Sequence, residues 1–375
     1  MLIVWFTFTS TGGLDMKKFG AWIVAALSLT LSFVYPAVAQ ELKPATLRMA
    51  NVVTENSWFG AHHKWWASEV EKRTGGKLKV QIFWLESLVK WKDALPGIQS
   101  GVADLAWVSS TYFPSQLPRY LMLDNLFNYG DDYVAALLAL IDTVDNEPNL
   151  KAELVKEDII LLAPHISGHA PTGTKQALSS IRDLKGKSLR TYGGVRTDFY
   201  TALGANPIFM SFSDMYEAMN RGTIDALGDM AVVLSNAFKL QEVVKFMYAA
   251  NPPGVHGNGG SLASGFYMSR KKFEALPKDT QKMFLDLRRE YAIRYAQALM
   301  DDEEAIRNEW RKKYNVTFAD ASPADAKFIL DAGNAANEGM FKKQEAQGHK
   351  GVREVWAYYQ KVRSKYEAER AAKKK

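Results

Sequence analysis

The 375-residue chain contains no cysteine. This excludes disulfides, thiolate-ligated zinc, iron–sulfur clusters and thiol nucleophiles together. It leaves the compartment open, because a chain this long needs no covalent staples. Charge of one sign is also lacking. The 47 Lys and Arg stand against 41 Asp and Glu, for a net charge of +6, and the signs interleave, as in Glu69-Val70-Glu71-Lys72-Arg73. A nucleic-acid binder would gather its positive charge in a patch or stripe. The chain closes on the basic run Lys373-Lys374-Lys375, which reads as a solvated helix terminus. HExxH, Walker A and GxSxG motifs are all missing. Gly259-Gly260-Ser261-Leu262-Ala263 comes within one residue of GxSxG but precedes a strand, the wrong context for a nucleophile elbow. Gly257, Gly259 and Gly260 do not fit the dinucleotide fingerprint.

Hydrophobic residues make up 47% and charged residues 23% of the chain, which excludes disorder and a fibrous architecture and is ample for two domains. Met16-Lys17-Lys18, the apolar run Phe19 to Val34 and the small-x-small triplet Ala37-Val38-Ala39 follow the order of a secretory signal peptide. The run is too short for a permanent membrane helix, and no later segment is long and apolar enough to cross. Residues 1–39 are therefore expected to be an export signal, with the true start at Met16 and cleavage near Ala39.

Leu47 to Val53, Leu78 to Phe83 and Asp104 to Val108 read as strands. Between them lie helices at Ala61 to Arg73 and Asp93 to Ser100. The same β-α-β-α-β order recurs with Lys187 to Thr191, Asp198 to Leu203, Pro207 to Met210, Phe212 to Arg221 and Ile224 to Leu227. Alternation at this spacing predicts parallel α/β layers. After the Pro- and Gly-rich stretch Asn251 to Gly260, Ser264 to Ser269 reads as a strand. Lys278 to Lys313 and Ser322 to Phe341 read as long helices.

Candidate chemistry is thin. His62 and His63 are adjacent, so their rings face different sides of a helix. His165 and His169 lie in a Pro- and Gly-containing stretch, where helical metal-ligand spacing does not apply. Arg190 ends a short strand beside the turn Tyr192-Gly193-Gly194, where α/β folds place ligand groups. Its planar fork matches a carboxylate; read by itself, it is a ligand contact or a surface charge.

At these residues the chain resembles a known family. Asp183-Leu184-Lys185-Gly186-Lys187-Ser188-Leu189-Arg190 is similar to the "DLKGxKxR" signature of TRAP transporter substrate-binding proteins of the DctP-like family. Ala202 to Pro207, Phe212 to Met219 and Gly222 to Ala226 follow in the family's order. Thr74 to Val80 and Gly101 to Asp104 resemble its first-lobe pattern, and Met268 to Pro277 its "SKKxWxxLP" segment. The resemblance spans about Leu47 to Phe341.

The resemblance implies an α/β, periplasmic-binding-protein-like fold, with two α/β lobes, a ligand cleft between them, hinge strands and a long bracing helix. Residues 40–165 and about 256–295 would form lobe I. About 166–255 and 296–375 would form lobe II and the bracing helices. The function implied is a non-catalytic periplasmic receptor that closes on a small organic acid and delivers it to TRAP membrane permease subunits. No cofactor and no nucleic acid are implied; a metal ion accompanies the ligand in some relatives. The alternatives are an exported α/β enzyme, with His165, His169 and Asp229 as acid–base groups, and a receptor for a sensor kinase.

The signature arginine falls on Arg190, which would clamp a ligand carboxylate. Phe212 falls where the family often packs an aromatic on ligand, and Ser109 where some sialate-binding members carry Glu. Glu55, Asn56 and Trp58 lie on the first strand-to-helix loop, and Tyr192 beside the arginine. Two departures stand out. The family's second arginine is missing from His165-Ile166-Ser167-Gly168-His169-Ala170, where His169 or His165 could serve as donor. Asp229 stands where an Asn is usual. Together with the aromatics around the site, these departures point away from a C4-dicarboxylate or sialate. They favour an acid with one carboxylate and an apolar or aromatic body.

Overall fold

Two sheets are built from strands that leave and re-enter them. The structure, a computed structural model, describes residues 41–127, 130–191, 193–210, 212–249 and 262–373. Leu42–Lys375 forms one compact unit. The expected export signal lies outside the described residues, as do the Pro- and Gly-rich stretch and the near-GxSxG serine.

The first sheet starts with β1 (Ala45–Ala50), helix α1 (Trp58–Arg73) and β2 (Leu78–Phe83). Short α2 (Ala94–Gln99) then leads to β3 (Leu105–Val108). β1 pairs in parallel with both other strands, in register Ala45↔Leu78 and Met49↔Leu105. Parallel neighbours require crossovers, which the helices supply. Ser57 caps α1 by accepting from the Gly60 N–H, and Lys72 and Arg73 close its last turn, where cations complement the helix dipole.

Helices α3 (Leu121–Asn125), α4 (Tyr133–Asn146) and α5 (Pro148–Lys156) follow, then β4 (Ile159–Ile166), buried along its whole length. Its near-continuous apolar run fits a strand covered on both faces. The strand β10 (Leu262–Ser269) lies antiparallel between β3 and β4, giving the order β2-β1-β3-β10-β4. It runs against its neighbours because it enters from the other sheet.

The second sheet contains β5 (Thr172–Thr174), β6 (Ser188–Thr191), β7 (Asn206–Phe209), β8 (Ala226–Leu227), β9 (Phe246–Tyr248) and β11 (Thr317–Ala319), in the order β11-β9-β5-β8-β6-β7. Helices α6 (Val195–Ala202), α7 (Phe212–Arg221) and α8 (Val232–Ala237) alternate with these strands. The chain passes from the first sheet to the second between Ile166 and Thr172, and returns between Tyr248 and Leu262.

After β10 comes the short helix α9 (Arg270–Glu274), then α10 (Lys278–Tyr314), 37 residues long and so about 55 Å from end to end. Its buried stripe runs from Phe284 through Tyr291, Tyr295 and Leu299 to Trp310. The first half packs on β4 and α4. The second half reaches the other sheet, where Trp310 Nε1 donates to Asn236 of α8 at 2.9 Å. Asn315, in the left-handed conformation, ends it. The two α/β sheets, linked by strands and braced by this helix, are the fold class expected from the sequence. Of the closing helices, α11 (Pro323–Ala346) packs on α6, whereas α12 (Val352–Lys373) returns to α4. The last helix thus packs on the first lobe, within the stretch 296–375 that the sequence reading gives to lobe II and the bracing helices.

Candidate functional site: a cavity between the two sheets

A cavity of about 680 Å³, counted to include its mouth, opens between the two sheets. It lies at strand ends, where α/β folds expose backbone groups and loops. From the first lobe come Phe59 of α1, Trp107 of β3, His165 of β4 and Trp91, with Ser109, Thr111 and Tyr112 beyond β3. From the second lobe come Arg190 of β6, Arg196 of α6, Phe209 of β7 and Leu234 of α8, and α10 contributes Tyr295. Six of the lining residues are Phe, Trp or Tyr. Trp91 lies 5.7 Å from Trp107 and 5.3 Å from Tyr112, centroid to centroid, and Tyr112 reaches 6.4 Å from Phe209 across the cleft.

Arg190 is 2% exposed. Its Nε donates to the Met210 carbonyl at 3.1 Å, which fixes the plane of the guanidinium. The backbone beside it is tightly packed: Gly228 N–H donates to the Arg190 carbonyl at 2.9 Å, and a Cβ on Gly228 would come within 2.8 Å of that oxygen and 2.7 Å of the Tyr200 ring. Glycine is required there by close approach.

A second arginine lines the cavity. Arg196, also 2% exposed, lies in the first turn of α6, with its guanidinium 3.9 Å over the Phe127 ring and Nε 4.0 Å from Asp229. A cation at a helix N-terminus opposes the helix dipole, and the buried carboxylate of Asp229 beside it offsets that cost. The carboxylate in the lining is Asp124, which accepts from Ser109 Oγ at 2.7 Å and Ser110 Oγ at 2.9 Å. Burial pushes Tyr112 up to about 12, which keeps its phenol neutral.

Beneath the first-lobe wall runs a buried polar chain. Asn51 Nδ2 lies 2.8 Å from His63 Nδ1, His63 Nε2 lies 3.2 Å from His165 Nε2, and the Tyr291 hydroxyl lies 2.8 Å from the same nitrogen. Burial drives His63 well below the ordinary histidine range and His165 down to about 3, so both are neutral at pH 7.

Among the residues singled out by sequence, Arg190, Ser109 and His165 line the cavity. The others described lie outside its lining. Trp58 lies against His62 with the rings tilted, centroids 4.2 Å apart, and donates to Asp302 of α10 at 2.8 Å. Glu55 pairs with Lys64 at 3.6 Å, and Asn56 is exposed. His169 sits 3.2 Å from Asp131. Asp229 is buried behind Arg196, its backbone N–H donating to the Tyr200 hydroxyl at 3.3 Å. Tyr192 and the side chain of Phe212 lie outside the described residues. Sequence reasoning passed over Arg196, Asp124 and Thr111. The available signal for Arg196 was its place six residues beyond the signature arginine, just inside a Gly-Gly turn. Asp124, in a stretch without periodicity, gave none. No group of three or more His, Asp and Glu suited to a metal ion occurs among the described residues.

Residues 49–344 match the family described as bacterial extracellular solute-binding protein, family 7 (DctP). A solute-binding protein of Verminephrobacter eiseniae is 28% identical over 303 residues, 78% of this chain and 88% of the relative. A TRAP periplasmic solute binding protein from Desulfovibrio salexigens, solved as an open complex, matches with a TM-score of 0.71 at 26% identity, over 86% of this chain and 96% of that one. A marine-metagenome TRAP solute binding protein specific for aromatic acid ligands, solved with 3-hydroxybenzoate, shares the fold with a TM-score of 0.75 at 22% identity, over 86% and 99% of the two chains. The matched span takes in both sheets and every residue named around the cavity, and the chain belongs to the DctP family of TRAP solute-binding proteins.

Proposed function

We propose that the chain is the periplasmic receptor of a TRAP transporter, that it captures an organic acid with one carboxylate and a flat or apolar body by closure of its lobes, and that it hands this acid to a membrane permease. The observation that carries the reading is Arg190, a buried guanidinium oriented by the Met210 carbonyl, facing a cavity walled by Trp91, Trp107, Tyr112 and Phe59. A guanidinium can meet a carboxylate with two parallel hydrogen bonds, and exclusion of water strengthens the pairing. Arg196 adds a second positive charge on the same lobe. Asp124 in the opposing wall disfavours a second carboxylate. That the same fold holds 3-hydroxybenzoate in the marine protein supports an acid of this shape.

The N-terminal signal pattern supports export, with the mature chain beginning at Gln40. No helix among the described residues is long and apolar enough to cross a membrane.

The test is native mass spectrometry and thermal shift on mature protein recovered from the periplasm. The wild type should retain, or be stabilised by, aromatic or alicyclic monocarboxylates. Arg190→Ala should weaken them by about 2–5 kcal/mol, the usual penalty for truncating one side of a buried charge pair. Stabilisation by small dicarboxylates alone would overturn the ligand class. An unchanged ligand affinity in Arg190→Ala would overturn the clamp. Chemical turnover of the bound acid would overturn the receptor reading.

A further inference from the structure

Beside the cavity between the sheets lies a second one, of about 840 Å³ with its mouth included. Ser115 and Leu121 bound it on the first lobe and the Gly193-Gly194 turn on the second, while Lys343 and Gln347 come from the last turn and cap of α11. Thr111 and Phe209 belong to both linings. Thr111 is tied into the polar cluster around Asp124: its Oγ1 accepts from Ser109 Oγ at 3.1 Å and lies 3.5 Å from the Asp124 carboxylate. Phe209 has no such role, and its ring is the apolar body that stands between the two spaces.

Phe209 ends β7, the edge strand of the second sheet, and pairs with Thr191, one residue past Arg190. Its ring stands edge to face with Tyr112 of the opposite lobe, centroids 6.4 Å apart. It also lies over Gly193, where a Cβ would come within 3.2 Å of the ring carbon Cδ2. Tyr112 and the bare backbone of Gly193 therefore flank it. Even so, Phe209 is 59% exposed. A phenyl ring set where two lobes meet would ordinarily be covered. The two cavities that it lines account for the exposure, which is that of a partition with open space on either side.

We propose that Phe209 sets how long an acid this receptor accepts, and that the second cavity is the space a longer acid would fill if the ring were gone. This rests on the receptor reading above and concerns the length of the ligand rather than its class. An acid clamped at Arg190 meets the Phe209 ring one residue further along the neighbouring strand. Beyond that ring no carboxylate lines the second cavity, where Lys343 is the charged side chain. The obstacle to a longer acid is thus bulk and not charge, and a single side chain supplies it.

Calorimetric titration of the mature protein with benzoate, phenylacetate, 3-phenylpropionate and 4-phenylbutyrate tests this. In the wild type the longer members should bind no better than the shorter ones. In Phe209→Ala the affinity ratio of 4-phenylbutyrate to benzoate should rise about tenfold or more, since each further methylene that becomes buried is worth about fourfold. Phe209→Leu should give an intermediate ratio. Because Phe209 is exposed, these variants should melt close to the wild type. Ser115→Trp, which fills the second cavity from its far side, should return the ratio of Phe209→Ala to the wild-type value. A ratio unchanged in Phe209→Ala, or an equal loss of affinity for all four acids, overturns the partition and leaves the receptor reading standing. A gain that survives Ser115→Trp overturns the second cavity as the space that is filled. If no acid of the series binds in an Arg190-dependent way, the receptor reading for monocarboxylates fails and the partition falls with it.

Discussion

At the scale of single residues, burial sets the chemistry. His165 and His63 are held neutral by desolvation inside the first lobe, with His165 down at about 3. A folded-state value below the ordinary 6.5 means that the unfolded chain takes up the proton first. The stabilisation is therefore complete above about pH 6.5 and is lost as pH falls toward the folded value. The melting temperature should be flat from pH 8 to 7 and fall steadily between pH 6.5 and 5, before most carboxylates titrate. His165→Asn should flatten that slope, and an equally steep slope in the variant would rule out the histidine as its source. Close approach sets a second constraint. Gly228→Ala forces a methyl against the Arg190 carbonyl and the Tyr200 ring, an overpacking worth about 1–3 kcal/mol. Denaturant unfolding should show that loss, with ligand affinity reduced as well because the strand carrying Arg190 must shift.

At the scale of elements, local signals explain most of what forms. Ser57 and the Gly75-Gly76 turn bracket α1. Its buried residues Phe59, His63, Trp66 and Val70 recur at helical spacing, as expected for a helix with one face on a sheet. Ser57→Ala should cost about 1 kcal/mol in chemical denaturation with no change in ligand affinity. The long α10 is more demanding. Tyr291 and Tyr295 in its first half reach His165 and the Ile166 carbonyl, while Trp310 in its second half reaches α8. Ala296→Pro removes a backbone hydrogen bond at a buried position between those two anchorages and should cost about 3 kcal/mol or more. Circular dichroism melts would show it, and an unchanged midpoint would mean that the two halves do not depend on continuity. The strands β4, β5, β9 and β11 were not legible. β5, β9 and β11 have only three residues each, too few for a period-two pattern to register, and the apolar run of β4 fits a buried helix as well as a strand.

At the scale of the whole molecule, the return of α12 to the first lobe makes the end of the chain structural. Val352, Val355 and Tyr359 are buried there, Tyr358 donates to Asp142 at 2.9 Å, and Arg370 pairs with Asp132 at 2.6 Å. Each fully buried apolar side chain contributes about 1.5–3 kcal/mol, so truncation after Gly351 removes an amount comparable with the stability of an ordinary domain. The truncated protein should lose its cooperative calorimetric transition. A normal melt would show α12 to be dispensable.

Composition, periodicity and motif order are properties of neighbours along the chain, and they determined the α/β class, the two-module organisation, the long helix, the export pattern and the family signature that singles out Arg190. The cavity is different in kind. Its walls come from residues as far apart in sequence as Phe59 and Tyr295, joined only when the strands alternate between two sheets. No local pattern marks Arg196 or Asp124 as members. Nor does any local pattern distinguish Trp58, which leaves the lining to pack on α10, from Trp107, which stays. The buried polar chain under the cavity was further still from the sequence, since it joins Asn51, His63, His165 and Tyr291 from four separate parts of the chain. Long-range packing decided these points, because only in the folded chain do these groups meet and does water leave the histidines.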